Sequence, residues 1–170
     1  MYYAKDGRKI VIRRVARKDL GSMANHWQSL ADERRYIATE HVSPEQKAVW
    51  ERSLSDPNML WVRADIGGRL VGSLSLGRYG NLKKTRHIRN LGMGVVKEFR
   101  EMGVGSALMD YAIKWADSKE LKKVVLSVFS TNNAAIELYE KFGFVREGVR
   151  RKQFLIDGKF VDEVMMGRLL

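Results

Sequence analysis

Residues 95–108 read Val95-Val96-Lys97-Glu98-Phe99-Arg100-Glu101-Met102-Gly103-Val104-Gly105-Ser106-Ala107-Leu108. An apolar strand passes through a short basic loop straight into a helix whose first turn holds two glycines. The first N–H groups of a helix have no intrahelical partner, and the helix dipole adds partial positive charge there. Glycines let a phosphate come close to that backbone, so the segment predicts an anion cradle with Arg100 adding a fixed charge. A plainer reading of the same glycines, close packing of the helix on its neighbours, stays open at this level. No G-x-x-x-x-G-K-[ST] occurs, which excludes a P-loop. A dinucleotide fingerprint fits poorly, because Leu108 stands where a third Gly or Ala is needed and the next strand ends Phe129-Ser130 without a ribose-binding acid.

Working outward, the pattern predicts strand, two helices, three strands, helix, strand, helix and two strands. Lys9–Val15 is β-branched and reads as a strand. Leu20, Met23, Trp27 and Leu30 form one helical stripe, and Ser43-Pro44-Glu45-Gln46 is a capped helix start running to about Pro57. Met59–Ile66 and Arg69–Leu76 form a hairpin across Gly67-Gly68. Gly77–Thr85 is the most loop-like stretch. Ile88–Val96 is a strand, Val104–Ala116 a helix, and Val124–Phe129 an apolar run suited to a parallel partner covered on both faces. A helix over 132–142 ends at Gly143, and Phe144–Ile156 and Phe160–Leu169 pair across Asp157-Gly158. No repeat, linker or low-complexity stretch interrupts the chain, so one domain over 1–170 is expected.

The chain has 170 residues, 31 Lys plus Arg against 20 Asp plus Glu, and no Cys. Disulfides and thiolate metal sites are therefore excluded, and no metal site is expected. No apolar stretch approaches the ~20 residues of a membrane-spanning helix, and the opening residues lack a signal-peptide core, which leads to an expectation of a cytoplasmic protein. The formal charge of +11 concentrates anions of any kind without choosing among them.

Two motifs carry a family resemblance. Arg100, Gly103 and Gly105 meet [RQ]-x-x-G-x-[GA]; Asn132, Ala135, Tyr139, Gly143 and Phe144 meet Asn-x-x-Ala-x-x-x-Tyr-x-x-x-Gly-Phe. With one apolar strand between them, the chain from about Arg86 to Leu170 resembles the GNAT superfamily of acetyl-CoA-dependent N-acetyltransferases. The closing stretch looks like the branch of ribosomal-protein and small-molecule amine acetyltransferases. The resemblance implies an α/β (α+β) fold: a mixed, mostly antiparallel sheet of six to seven strands with a central parallel pair, flanked by about four helices. It implies that Met93 and Val95 bind pantetheine and the thioester carbonyl through backbone N–H groups. It also implies that Arg100, Met102, Gly103, Val104, Gly105 and Ser106 hold the pyrophosphate, Asn132 the cofactor arm, and that the Tyr139 hydroxyl serves as acid near sulfur.

Two departures stand out. Glu101 occupies a position where relatives often have Gly, and His87-Ile88-Arg89-Asn90-Leu91 carries no carboxylate where many relatives have a base. His87, Glu40, His41, Glu33 or a water chain are the candidate proton acceptors. The expected function is transfer of acetyl from acetyl-CoA to a primary amine, of a small molecule or a peptide N-terminus, in a ternary complex. The alternative is a catalytically weak basic module of this fold bound to RNA, ribosome or another polyanion. The positive charge favours an amine that bears a carboxylate or phosphate, or an acidic peptide; homodimerisation is an open expectation.

Overall fold

A computed structural model describes residues 1–170. Eight strands form one sheet in the order β1-β2-β3-β4-β5-β6-β8-β7: β1 (Tyr2–Tyr3), β2 (Lys9–Arg14), β3 (Leu60–Ile66), β4 (Arg69–Arg78), β5 (Ile88–Val95), β6 (Lys123–Phe129), β7 (Val145–Ile156) and β8 (Lys159–Leu169). Four helices accompany them: α1 (Leu20–Asp32), α2 (Pro44–Ser53), α3 (Val104–Ser118) and α4 (Asn133–Lys141). The sheet thus has one strand more than the six to seven expected. The extra element is two-residue β1, too short to show a period in the sequence; it is tied down where Tyr2 Oη donates to Asp110 on α3 at 2.7 Å. The caps and turns form as their residue types dictate. Ser43 Oγ accepts from Gln46 N at 3.2 Å. Gly143 takes φ +79°, and Asp157 and Gly158 both take positive φ in the β7–β8 turn.

Every neighbouring pair is antiparallel except β5 and β6. The crossover through α3 makes this pair parallel, and its ladder is short: Ile88↔Lys123, Arg89↔Val124 and Asn90↔Val125. Beyond Asn90 the two strands part, although β5 stays paired with β4 as far as Gly72↔Val95 and β6 with β8 as far as Phe129↔Glu163. The sheet therefore opens as a wedge in its middle. This also explains a departure from the expected cover of β6 on both faces: Ser127 lies exposed within it.

The two faces of the sheet differ in chemistry. On one, α3 packs so closely that a Cβ on Gly72 of β4 would lie 3.0 Å from Val104 Cγ1. This face carries the main core, with Leu60, Val62, Leu74, Val104, Leu108, Met109, Val124 and Met166 fully buried. Full burial of each such side chain contributes about 1.5–3 kcal/mol. On the other face α1 lies against Gly94 of β5, where an added Cβ would collide with Leu30 Cδ1. The apolar cluster here is small, Val15, Met23 and Trp61, and the layer between α1 and the sheet is polar.

That polar layer accounts for all seven residues of β3 being buried, Arg63 and Asp65 included. Arg63 bonds Asp65 and reaches Asp19 Oδ1 at 3.0 Å, while Arg13 holds Asp19 Oδ2 at 2.6 Å. The Arg13 hydrogen bond holds the Asp19 carboxyl well below the usual carboxylate range. Buried charges are costly unless paired or hydrogen-bonded, and here they are paired. Two groups in the layer stay unpaired: the His26 ring, neither of whose nitrogens finds a hydrogen-bond partner, and Ser73 Oγ.

Burial pushes the His26 pKa down to about 4 from 6.5. A depressed folded-state value means that the unfolded chain takes up the proton first. Stability is intact above pH 6.5 and is lost as pH falls toward 4, by about 2 kcal/mol at pH 5. Urea unfolding at pH 7.5 and pH 5 tests this: His26→Leu should lose about 2 kcal/mol less than the parent chain over that interval. An equal loss in both would show that the ring is not buried neutral.

Candidate active site

The wedge presents backbone N–H groups that no neighbouring strand meets. N–H and C=O groups of successive strand residues point to opposite sides. Val96 N donates to Val71 O of β4 at 3.0 Å, so the N–H and C=O of Val95 point the other way, into the wedge, and those of Met93 point with them. The β4 ladder on the far side holds these donors rigid.

At the mouth of the wedge the chain turns into α3. Arg100 N donates to Lys97 O at 3.3 Å, and Ala107 N donates to Gly103 O at 3.0 Å. Between them the N–H groups of Glu101, Met102, Gly103, Val104, Gly105 and Ser106 have no partner in the protein. The two glycines serve different ends. Gly103 is the N-cap residue of α3 and takes φ +91°. That left-handed conformation costs a residue with a Cβ roughly 1–2 kcal/mol. Gly105 makes room instead: a Cβ there would sit 3.0 Å from Leu138 Cδ2 of α4. The close-packing reading holds for Gly105, while Gly103 answers to its left-handed backbone. Glu101 also adopts positive φ (+59°), lies exposed and forms no ion pair, so its carboxylate turns to solvent beside the free amides.

Arg100 departs from its expected place. Its backbone N–H is taken by Lys97 O, and its side chain does not face the free amides. Arg100 Nε donates to Val95 O at 3.0 Å, Nη2 bonds Glu33 Oε1 at 2.6 Å, and the guanidinium stands 5.7 Å from the centre of the Tyr36 ring. The charge is neutralised by a carboxylate, so it braces the end of β5 and ties it to the α1–α2 connection. The sequence could not reveal this pair, whose members are 67 positions apart.

Tyr139 on α4 is 7 % exposed and its ring packs against Phe144 at 6.0 Å. Its hydroxyl makes no hydrogen bond within the protein, and burial pushes its pKa up to about 12. Asn132 is the N-cap of α4; its Oδ1 accepts from Ala135 N at 3.3 Å, which turns the amide nitrogen of the side chain outward. α4 meets α3 where Leu138 lies against Gly105.

The four candidate proton acceptors scatter. His87 precedes β5 at the closed end of the β5–β6 pair. Eight residues of strand, about 26 Å, separate it from Val95, which removes it from any chemistry at the wedge. Glu40 and His41 are exposed on the α1–α2 connection. Glu33 alone is brought to the end of β5, and it is engaged by Arg100. The third histidine, His26, stands outside those candidates and lies buried beside Gly94 of β5. Its place three residues after Met23 and four before Leu30 puts it on the apolar stripe of α1. No cluster of His, Cys, Asp and Glu that could hold a metal is present.

A parallel pair that parts beneath a row of unpaired amides suits an extended, phosphorylated thioester: strand-like backbone for its arm, helix-terminal donors for its phosphates. The class is that of acyltransferases acting from such a thioester. The match to the acetyltransferase (GNAT) family covers residues 24–144, and the chain belongs to that family. It is 31 % identical over 163 residues to the L-amino acid N-acetyltransferase AaaT of Escherichia coli (strain K12), covering 95 % of this chain and 98 % of that one. It is 30 % identical over 115 residues to the N-alpha-acetyltransferase RimI of Mycobacterium tuberculosis, covering 68 % and 70 %. Its fold is that of yncA from Salmonella typhimurium, solved with its cofactor acetyl-CoA, at TM-score 0.86 and 18 % identity, covering 95 % of this chain and 94 % of that one. The protein is accordingly an acyltransferase that moves acetyl from acetyl-CoA to an amine, and the free amides and open wedge fit that thioester.

Proposed function

We propose that residues 1–170 act as one N-acetyltransferase domain on a small primary amine bearing a carboxylate. Six consecutive unpartnered N–H groups at the mouth of the wedge, Glu101 to Ser106, carry the assignment of the cofactor end. Met102, Gly103, Val104, Gly105 and Ser106, with Glu101 in place of Arg100, hold the diphosphate. Asn132 steadies the arm through its amide, and Arg100 acts as a positioning residue by fixing Val95. Bound acetyl-CoA supplies an acetyl group activated for attack by an amine.

The residues of the chain then have separate tasks. The N–H groups of Met93 and Val95 meet the oxygen on which negative charge develops; fixed by the β4 ladder, they need no rearrangement, and such a donor is typically worth ~3 kcal/mol. Tyr139, with its pKa raised to about 12, keeps its proton at neutral pH and offers it as a hydrogen bond to the departing sulfur. Burial raises a thiolate's pKa just as it raises the phenol's, so the two stay matched within the apolar wedge. The amine's proton leaves through water toward the α1–α2 connection.

The carboxylate preference draws on Arg35, an exposed cation without an ion-pair partner, which lies 5.2 Å from the Tyr36 ring that Arg100 also meets. The net charge of +11 repels polyamines, and the relative matched nearly end to end is named for L-amino acids. A peptide N-terminus is the second acceptor class, supported by the RimI relative. Charge alone supports RNA or ribosome as partner. Exposed Val145, Val149 and Leu155 on edge strand β7 support a homodimer. No helix is long and apolar enough to cross a membrane, and the absence of Cys supports the cytoplasm as the place of action.

Thiol release across a panel of amino acids, polyamines and peptides tests the acceptor class. Amino acids should exceed spermidine at least tenfold in kcat/KM; preference for polyamines would overturn it. Tyr139→Phe should lower kcat by about 10²-fold with little change in the acetyl-CoA KM. An unchanged kcat would remove the tyrosine from the chemistry.

A further inference from the structure

The closed end of the β5–β6 pair holds a second cavity, of about 670 Å³, between the β4–β5 connection, the start of β5 and the residues after α3. Only three of its fourteen lining residues are hydrophobic, which argues against an apolar ligand. Arg78, Lys83, Arg86, Arg89 and Lys119 all line it, against one acid, Glu120. Arg89 and Val95 stand at opposite ends of β5. Six strand steps, about 20 Å, lie between them, so the cavity is separate from the wedge.

Arg89 is the unusual member. It is only 6 % exposed and forms no ion pair. Nε donates to Asn58 O at 2.9 Å, and Nη1 to Arg86 O at 2.8 Å and Ile88 O at 2.9 Å, so three carbonyls lock the guanidinium in place. Nη2 donates to nothing in the protein. The nearest counter-charge, Asp56, is held by Arg78 at 3.0 Å. Burial, with the Arg78 charge beside it, pushes the Arg89 pKa below the ordinary arginine value. An uncompensated buried cation is costly unless something else satisfies it. The loop over the cavity is also preformed: Thr85 Oγ1 donates toward Tyr79 O at 2.9 Å and Leu82 O at 3.0 Å.

We propose that this cavity is a second binding site, for a small, multiply charged phosphate compound that takes the free Nη2 edge of Arg89 as its anchor and Arg86, Lys83 and Lys119 as its surrounding cations. The two N–H donors of Nη2 suit phosphate oxygens, and their fixed orientation lowers the ordering cost of binding. A recess of this size admits a small molecule of nucleotide dimensions, whereas a nucleic-acid strand would need an open charged track.

Calorimetric titration of the full chain with tripolyphosphate, in saturating coenzyme A to fill the wedge, tests the site. Because Arg89 also holds three carbonyls, the variant reverses two exposed cations, Arg86→Glu with Lys119→Glu. A control of equal charge change, Lys9→Glu with Lys159→Glu, lies elsewhere on the surface. One tripolyphosphate should bind per chain. Affinity should drop at least tenfold in the cavity variant and far less in the control, and kcat/KM for acetyl-CoA should persist in both. No binding by the parent chain, or equal weakening in both variants, would overturn the proposal. So would a single-stranded oligonucleotide that binds more tightly than tripolyphosphate with the same dependence on Arg86 and Lys119, since the surface would then belong to nucleic acid.

Discussion

An unsatisfied stretch of backbone organises this protein. Buried or enclosed peptide groups are almost always paired, because leaving one unpaired costs about as much as losing a hydrogen bond. Here the parting of β5 and β6 after Asn90 leaves the wedge side of Met93 and Val95 without a partner strand, and the turn into α3 leaves six N–H groups free. Such an arrangement persists because its surroundings are rigid: β4 holds β5 from one side, α3 is seated on Gly72, and Arg100 clamps the Val95 carbonyl while paired to Glu33. A ligand whose own amides and phosphates match those positions completes the sheet instead of disturbing it.

The rest of the fold serves that opening. The apolar face beneath α3 and α4 carries the stability, and the polar face beneath α1 carries paired charges that set the height of α1 over β5. Placing small residues where helices cross their neighbours, Gly94 under Leu30 and Gly105 under Leu138, lets both helices approach the wedge closely. His26 then lies in a dry layer directly behind the strand that offers the donors, which links acid stability to the geometry of the site without placing the imidazole in the chemistry.

Much of this was legible in residue types and spacing because it is local. The free helix terminus, the capping of α2, the end of α4 at Gly143 and the positive-φ turns each follow from residues a few positions apart. Pairings across the chain were not legible. That Arg100 braces β5 through Glu33, that Arg63 and Asp65 occupy a buried strand because Asp19 and Arg13 complete the set, and that His87 sits at the far end from the chemistry all depend on which strands become neighbours. Two-residue β1 was invisible for a different reason: its position comes from pairing with β2 and from one tyrosine hydroxyl on Asp110, not from any period.

The unpaired amides of β5 and of the turn into α3 can be followed one by one, because amide resonances report on them directly. In a ¹⁵N-resolved NMR titration with coenzyme A, the largest shifts and the new protection from exchange should fall on Met93, Val95 and Glu101 to Ser106, with Gly92 and Gly94, already paired to β4, moving little. Coenzyme A that binds while these amides stay unshifted and fast-exchanging would contradict the account.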